Sequence, residues 1–101
     1  MEMIAKSTDR KLLLECRGEI DHHGARMALR ELELAMDAAL PSLLVLDFSG
    51  VTFMDSSGIA LILRARQYME QLDGCMVVSN VPEQAKRVLD AAGVSRMVNM
   101  K

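Results

Sequence analysis

The chain lacks an excess of either charge, a long apolar run and any basic cluster. Its 12 Lys and Arg residues nearly balance 14 Asp and Glu residues, which gives a formal net charge of -2. This balance gives no electrostatic reason to expect binding to nucleic acid or to an anionic membrane surface. No apolar stretch approaches the about 20 residues that span a bilayer, and the first residues do not resemble a signal peptide. The composition predicts a soluble, cytoplasmic protein.

Cysteines and linker-like segments are also scarce. Cys16 and Cys75 are the two cysteines, and they stand far apart without a C-x-x-C or metal-ligand spacing. We therefore expect both to be small core residues rather than a disulfide or a metal site. No Pro/Ser-rich linker or repeat divides the 101 residues, so we predict one domain over residues 1–101.

The first half of the chain predicts two strands followed by a helix. The apolar-rich segments 1–6 and 11–17 are joined by a short polar stretch, which is typical of a strand pair. Asp21 is placed to cap a helix whose apolar residues recur every three or four positions. Pro41 is expected to end that helix.

The second half predicts an alternation of strand and helix. Leu43 to Phe48 is apolar almost throughout, as in an inner strand of a parallel sheet, and a short link is expected after it. A helix should run from about Ser56 to Leu72, followed by a strand at 75–78. The remaining elements are a third helix with a capping box at Asn80 and Glu83, closed by Gly93, and a short strand within 96–100. This order predicts an α/β domain with a mostly parallel sheet.

The junction before the second helix, Met54-Asp55-Ser56-Ser57-Gly58-Ile59, is the most informative segment. A hydroxyl in the first turn of a helix lies beside unpaired backbone N–H groups and the positive end of the helix dipole. Such a serine can be a site of chemical modification or a helix cap. The residues alone leave both interpretations open.

Helical periodicity separates the two serines of this junction. The predicted core stripe of the second helix passes through Gly58, Leu61, Ile62, Ala65, Met69 and Leu72. Ser57 falls on this stripe, whereas Ser56 lies about 100° away and should be exposed. Ile59 and Leu63 also lie off the stripe, which predicts an apolar docking patch beside Ser56. The alternative is that Asp55 and Ser56 only cap the helix and that a neighbouring helix buries the two apolar residues.

Two motifs point to a known family. The segments Gly18-Glu19-Ile20-Asp21-His22-His23 and Phe53-Met54-Asp55-Ser56-Ser57-Gly58 closely resemble the anti-sigma factor antagonists of the STAS-domain family, of the sporulation stage II AA type. The likeness extends over nearly the whole chain. It implies a single STAS domain with a mixed sheet of four or five strands and helices packed on it.

The resemblance also implies a mechanism called partner switching. The unphosphorylated form would bind a cognate anti-sigma factor, a Bergerat-type ATPase and serine kinase, and so free a sigma factor. Phosphorylation of Ser56 would end this binding until a PP2C-type phosphatase removes the phosphate. ATP and Mg²⁺ would belong to the partner kinase, so we expect no enzymatic activity and no cofactor or metal in this chain. The expected partner surface comprises Asp21, Asp55, Ser57, Gly58, Ile59 and Leu63.

Departures and competing hypotheses remain. Sporulation-type relatives usually carry a further C-terminal helix, whereas this sequence stops at Lys101, which leaves the pathway open. The alternative within the fold is a non-catalytic STAS subunit of a lipid-transport ABC system. Other classes are a phosphoacceptor receiver domain using Asp47 or Asp55, and a serine hydrolase using Ser56 with His22 or His23. The sequence lacks the G-x-S-x-G nucleophile elbow, and we expect both histidines on the surface, so both observations argue against a serine hydrolase.

Overall fold

A five-stranded mixed sheet organises the molecule. The structure is a computed structural model and describes residues 1–101. The strands lie in the order β1-β2-β3-β4-β5, with β1 antiparallel to β2 and all other neighbours parallel. Their bounds are Glu2–Thr8, Lys11–Ile20, Leu43–Met54, Cys75–Ser79 and Asn99–Met100. The predicted α/β domain with a mixed, mostly parallel sheet is confirmed.

Three α-helices connect the parallel strands. They are α1 (His22–Ala39), α2 (Ser57–Gln71) and α3 (Glu83–Ala91), and a 3-10 turn at Val94–Arg96 precedes β5. Helix α1 ends as expected, because Leu40 adopts a left-handed backbone with φ 43° and Pro41 follows it. None of the helices combines the length and apolar character needed to cross a bilayer.

One face of the sheet carries the core. Neighbouring strands place Leu12 beside Leu44 and Leu14 beside Leu46, and all four side chains are buried. Every second residue of a strand points to the same side, so these rows face the helices. The core is one cluster of 23 buried residues that also draws on α1, α2 and α3. On the opposite face, the corresponding residues, such as Val45, are only half-buried.

Strand β3 is longer than predicted. The expected link after Phe48 is strand, because β2 pairs with β3 as far as Met54, with two register shifts on the way. The junction between β3 and α2 therefore consists of only Asp55 and Ser56. A shorter junction fixes the position of these two residues more tightly than a flexible link would.

Two further predictions are wrong. Cys75 is exposed at the start of β4, whereas Cys16 is buried as expected. Asn80 does not cap α3, because it adopts a left-handed backbone with φ 55° and its side chain donates a hydrogen bond to Asp47. The N-cap residue of α3 is Pro82, which makes no side-chain capping bond.

Candidate functional site

The carboxyl ends of β2 and β3 bring the two predicted motifs together. Ile20 is the register partner of Met54, and the N–H of Asp55 donates to the carbonyl oxygen of Ile20 at 3.2 Å. Asp21 directly follows Ile20 in the sequence. The two acidic residues, Asp21 and Asp55, therefore lie at the carboxyl ends of neighbouring strands, each at the start of a helix.

Asp21 caps α1, as the sequence predicts. Its Oδ1 accepts a hydrogen bond of 2.7 Å from the backbone N–H of Gly24. Gly24 itself is buried, and a Cβ at this position would clash with the carbonyl oxygen of Glu19. Only glycine permits this close approach of α1 to the end of β2. Gly24 was not among the residues predicted from the sequence.

At the start of α2, Asp55 caps the helix and leaves Ser56 free. The Oδ1 of Asp55 accepts a hydrogen bond of 2.8 Å from the N–H of Ser57. Ser56 has helical backbone angles, φ -62° and ψ -15°, and its side chain makes no capping bond. A residue that caps a helix with its own side chain normally has extended angles. The prediction that Ser56 is exposed is confirmed, and its hydroxyl is not used as a helix cap.

The core stripe of α2 also follows the prediction. Gly58 is buried, and a Cβ there would clash with the side chain of Met54. Ser57 is half-buried on the same side of the helix. The burial of Gly58 allows the close packing of α2 against the end of β3. Its contact with a partner stays a prediction.

The predicted apolar patch at Ile59 and Leu63 is weaker than expected. Ile59 is partly buried and packs against the core, and Leu63 is also half-buried. Phe53 is the more exposed apolar side chain beside the site, with 42% of its surface accessible. It lies on the part of β3 beyond Asp47, where the pairing with β4 ends. Phe53 was quoted in the motif but was not predicted as a contact residue.

Gln84 of α3 is a second residue of the site that was not predicted from the sequence. Because β4 ends before this part of β3, the backbone groups of Met54 have no strand neighbour on that side. The side-chain amide of Gln84 donates to the Met54 carbonyl and accepts from the Met54 N–H, both at 2.8 Å. It supplies the pair of hydrogen bonds that a neighbouring strand would supply. The junction is thereby tied to α3.

Comparison with known proteins identifies the family. The family model described as the STAS domain matches residues 2–101. The chain belongs to the STAS domain family. The anti-sigma F factor antagonist of Paenibacillus polymyxa is 31% identical to it over 86% of this chain and 74% of that protein. The resemblance expected from the two motifs is confirmed.

Solved structures show the same fold at lower identity. The unphosphorylated form of the anti-sigma factor antagonist SpoIIAA is 21% identical, with a TM-score of 0.84 over 99% of this chain and 88% of its own. The phosphorylated form of the Bacillus cell fate determinant SpoIIAA is also 21% identical, with a TM-score of 0.75 over 99% of this chain and 91% of its own. The single STAS domain, with its five-stranded mixed sheet and three helices, matches this fold.

A shallow groove of about 190 Å³ lies beside the site of this STAS domain. It runs between α1 and α2, with mainly apolar walls and one positive charge, and its lining residues are His22, Ala25, Arg26, Leu29, Ser57, Ala60 and Leu61. Both histidines at the start of α1 are exposed, as predicted. The groove lies beside the exposed Ser56, because Ser57, which follows it in the sequence, is one of the lining residues.

Asp47, the other candidate phosphoacceptor, has a structural role. It lies within β3 and accepts hydrogen bonds from the N–H of Ser49 at 2.9 Å and from the Asn80 side chain at 3.2 Å. Burial acts to raise the pKa of Asp47, but these hydrogen bonds outweigh it and lower the pKa overall. The carboxylate therefore joins β3 to the loop after β4.

Proposed function

We propose that this STAS domain is an anti-sigma factor antagonist whose unphosphorylated form binds a cognate anti-sigma factor and thereby frees a sigma factor. The observation that carries the proposal is the exposed hydroxyl of Ser56, which makes no capping bond because Asp55 caps the helix. The relative from Paenibacillus polymyxa is named an anti-sigma F factor antagonist. SpoIIAA, which shares the fold, has been solved in both unphosphorylated and phosphorylated forms.

Phosphorylation of Ser56 is the proposed off switch. A phosphate adds about -1.5 to -2 charges at pH 7. Asp55 is its sequence neighbour and Asp21 lies at the same sheet edge, so the added charge would make an acidic surface strongly negative. A partner that fits the unmodified surface would then face both repulsion and the cost of removing water from the phosphate.

The chemistry of the switch belongs to the partners. The kinase would be the anti-sigma factor itself, a Bergerat-type ATPase that brings ATP and Mg²⁺, and a PP2C-type phosphatase would remove the phosphate. In this scheme Ser56 is a substrate and the STAS domain is not an enzyme. Acting on a sigma factor cycle would place the protein in the cytoplasm.

The partner surface would surround Ser56. Asp21 and Asp55 offer carboxylate oxygens at the ends of β2 and β3, and Ser57 lines the adjacent groove. Phe53 adds an exposed aromatic ring, the kind of residue that often anchors a protein interface. Ile59 and Leu63 would contribute only the parts of their side chains that remain accessible.

The test is a reconstitution with the cognate anti-sigma factor and its sigma factor. The unmodified protein should displace the sigma factor in the presence of ADP, and with ATP the kinase should label Ser56. Ser56→Ala should displace the sigma factor and resist labelling. Ser57→Ala is the matched control, since it changes the neighbouring hydroxyl and should still be labelled at Ser56. Phosphate on any other residue, or no displacement of the sigma factor, would contradict the proposal.

A further inference from the structure

Strand β1 has a free edge. It pairs with β2 along Glu2–Thr8, and no strand lies on its other side. Alternate backbone N–H and C=O groups along this edge therefore face solvent and can pair with another strand. Such an edge is a ready site for the addition of a strand from another chain.

Helix α1 presents apolar side chains above the same edge. Met27 and Leu34 are 48% and 62% exposed, although both are large and apolar. Two open recesses, of about 380 and 260 Å³, lie between α1 and β1. Met3 and Glu31 line both recesses, with Met27 in the first and Leu34 in the second. The centre of this helix face therefore lies level with Met3 and Ala5 of β1.

The sequence of β1 is complementary to itself in the antiparallel direction. A two-fold axis that is perpendicular to the sheet and passes through Ile4 would place Glu2 opposite Lys6 of the second copy. By symmetry, Lys6 would lie opposite Glu2 of the second copy. The same register pairs Met3 with Ala5. Opposite charges on directly facing residues stabilise an antiparallel pair. Two neighbouring registers would also keep the helices of both copies on the same face of the joined sheet. They are centred on Met3 and on Ala5, and neither of them places opposite charges across from each other.

Helix α1 is complementary about the same axis. Two α1 helices related by the axis run antiparallel. If their contact is centred between Arg30 and Glu31, Arg30 of each copy faces Glu31 of the other copy. The same arrangement places Met27 against Leu34 of the second copy. Strand and helix thus both match a second copy of this chain, in charge and in apolar surface.

We propose that two copies associate through their β1 edges as a two-fold symmetric dimer, with one continuous sheet across both. We call the interacting residues the edge strip, which comprises residues 2–6 of β1 and Met27, Arg30, Glu31 and Leu34 of α1. The contact is small, so the dimer forms weakly and reversibly. The edge strip contains none of the residues of the Ser56 site, and the inference does not depend on the proposed function.

Charge exchange tests this dimer directly. Sedimentation velocity of the wild type over a range from micromolar to submillimolar should show a monomer converting to a dimer. Glu2→Lys and Lys6→Glu should each weaken the dimer several-fold, because like charges then face each other. An equimolar mixture of the two variants should dimerise again, since the two introduced side chains carry opposite charges and would face each other across the axis. The native Glu2 of one variant would also pair with the native Lys6 of the other. The double exchange should restore the homodimer.

The controls separate dimerisation from folding. Lys6 also forms an ion pair with Glu15 of its own chain at 3.1 Å. Lys6→Glu loses this ion pair both alone and in the mixture, so the ion pair cannot account for recovery of the dimer in the mixture. Leu34→Lys should weaken the dimer, whereas Leu40→Lys changes a residue of similar exposure, 56%, outside the strip and should not. A chain that stays monomeric at submillimolar concentration would overturn the proposal. A dimer that the charge exchanges do not affect would also overturn it. The same holds if the backbone amides of β1 become protected from hydrogen exchange only when a different protein is added.

Discussion

The side-chain amide of Gln84 forms two hydrogen bonds of 2.8 Å with the backbone of Met54, one to its N–H and one to its carbonyl. Gln84 lies on α3, 30 residues away from Met54 in the sequence. Met54 ends β3 and directly precedes Asp55 and Ser56. On the side away from β2, a single side chain thus holds the strand end from which the candidate site projects.

Replacing Gln84 should therefore loosen the junction. Gln84→Ala leaves two partly buried backbone groups without their partner, and we expect the free energy of unfolding to fall by about 1–3 kcal/mol. Urea denaturation measures this change. Gln67→Ala is the control, because Gln67 is exposed on α2 and makes no such bond, and it should change stability by less than about 0.5 kcal/mol. Equal effects of the two substitutions would show that the pair of hydrogen bonds contributes nothing.

Phe53 should contribute to partner binding more than to stability. Its ring is 42% exposed beside the site, so Phe53→Ala should weaken binding to the cognate anti-sigma factor by about 1 kcal/mol or more. The melting temperature of the Phe53→Ala variant should change little. Met97→Ala removes a side chain that is 45% exposed away from the site, and it should leave the affinity unchanged. Titration calorimetry with both variants decides, and a Phe53→Ala protein with wild-type affinity would remove Phe53 from the interface.

The buried Cys16 predicts a dependence of stability on alkaline pH. Burial, with a smaller contribution from the charge of Asp47, raises the pKa of Cys16 from 9.0 to about 12. The folded protein then keeps a proton that the unfolded chain releases above pH 9, so the free energy of unfolding should fall as pH rises from 9 towards 12. Below pH 9 this contribution is constant.

The matched variants are the two cysteine substitutions. Cys16→Ala should reduce the loss of stability above pH 9, whereas Cys75→Ala should keep it, because Cys75 is exposed. Chemical denaturation at a series of pH values gives the slopes. Identical slopes for the wild type and Cys16→Ala would contradict the expected effect of burial.

Local patterns in the sequence predicted much of the candidate site. The three- to four-residue periodicity of α2 separated the exposed Ser56 from the half-buried Ser57, because a helix fixes the direction of each side chain. The position of Asp21 before an amphipathic segment correctly predicted a helix cap. Both are relationships between residues that are close in the sequence.

Relationships between distant segments could not be predicted in this way. The approach of Gly24 to Glu19 and the pairing of Gln84 with Met54 depend on how helices sit against the sheet. Cys75 was placed in the core because its short apolar run does not indicate which face of the strand the helices cover. Ile59 was placed outside the core for a similar reason, since its contacts come from the rest of the fold.

The most direct test of the account compares the affinities of two forms of the protein for the cognate anti-sigma factor. One form is unmodified, and the other carries a phosphate on Ser56 that mass spectrometry has verified. Titration calorimetry should give binding at least about tenfold weaker for the phosphorylated form, which corresponds to about 1.4 kcal/mol. Equal affinities for two forms with the same melting temperature would contradict the claim that the free hydroxyl of Ser56 is the switch.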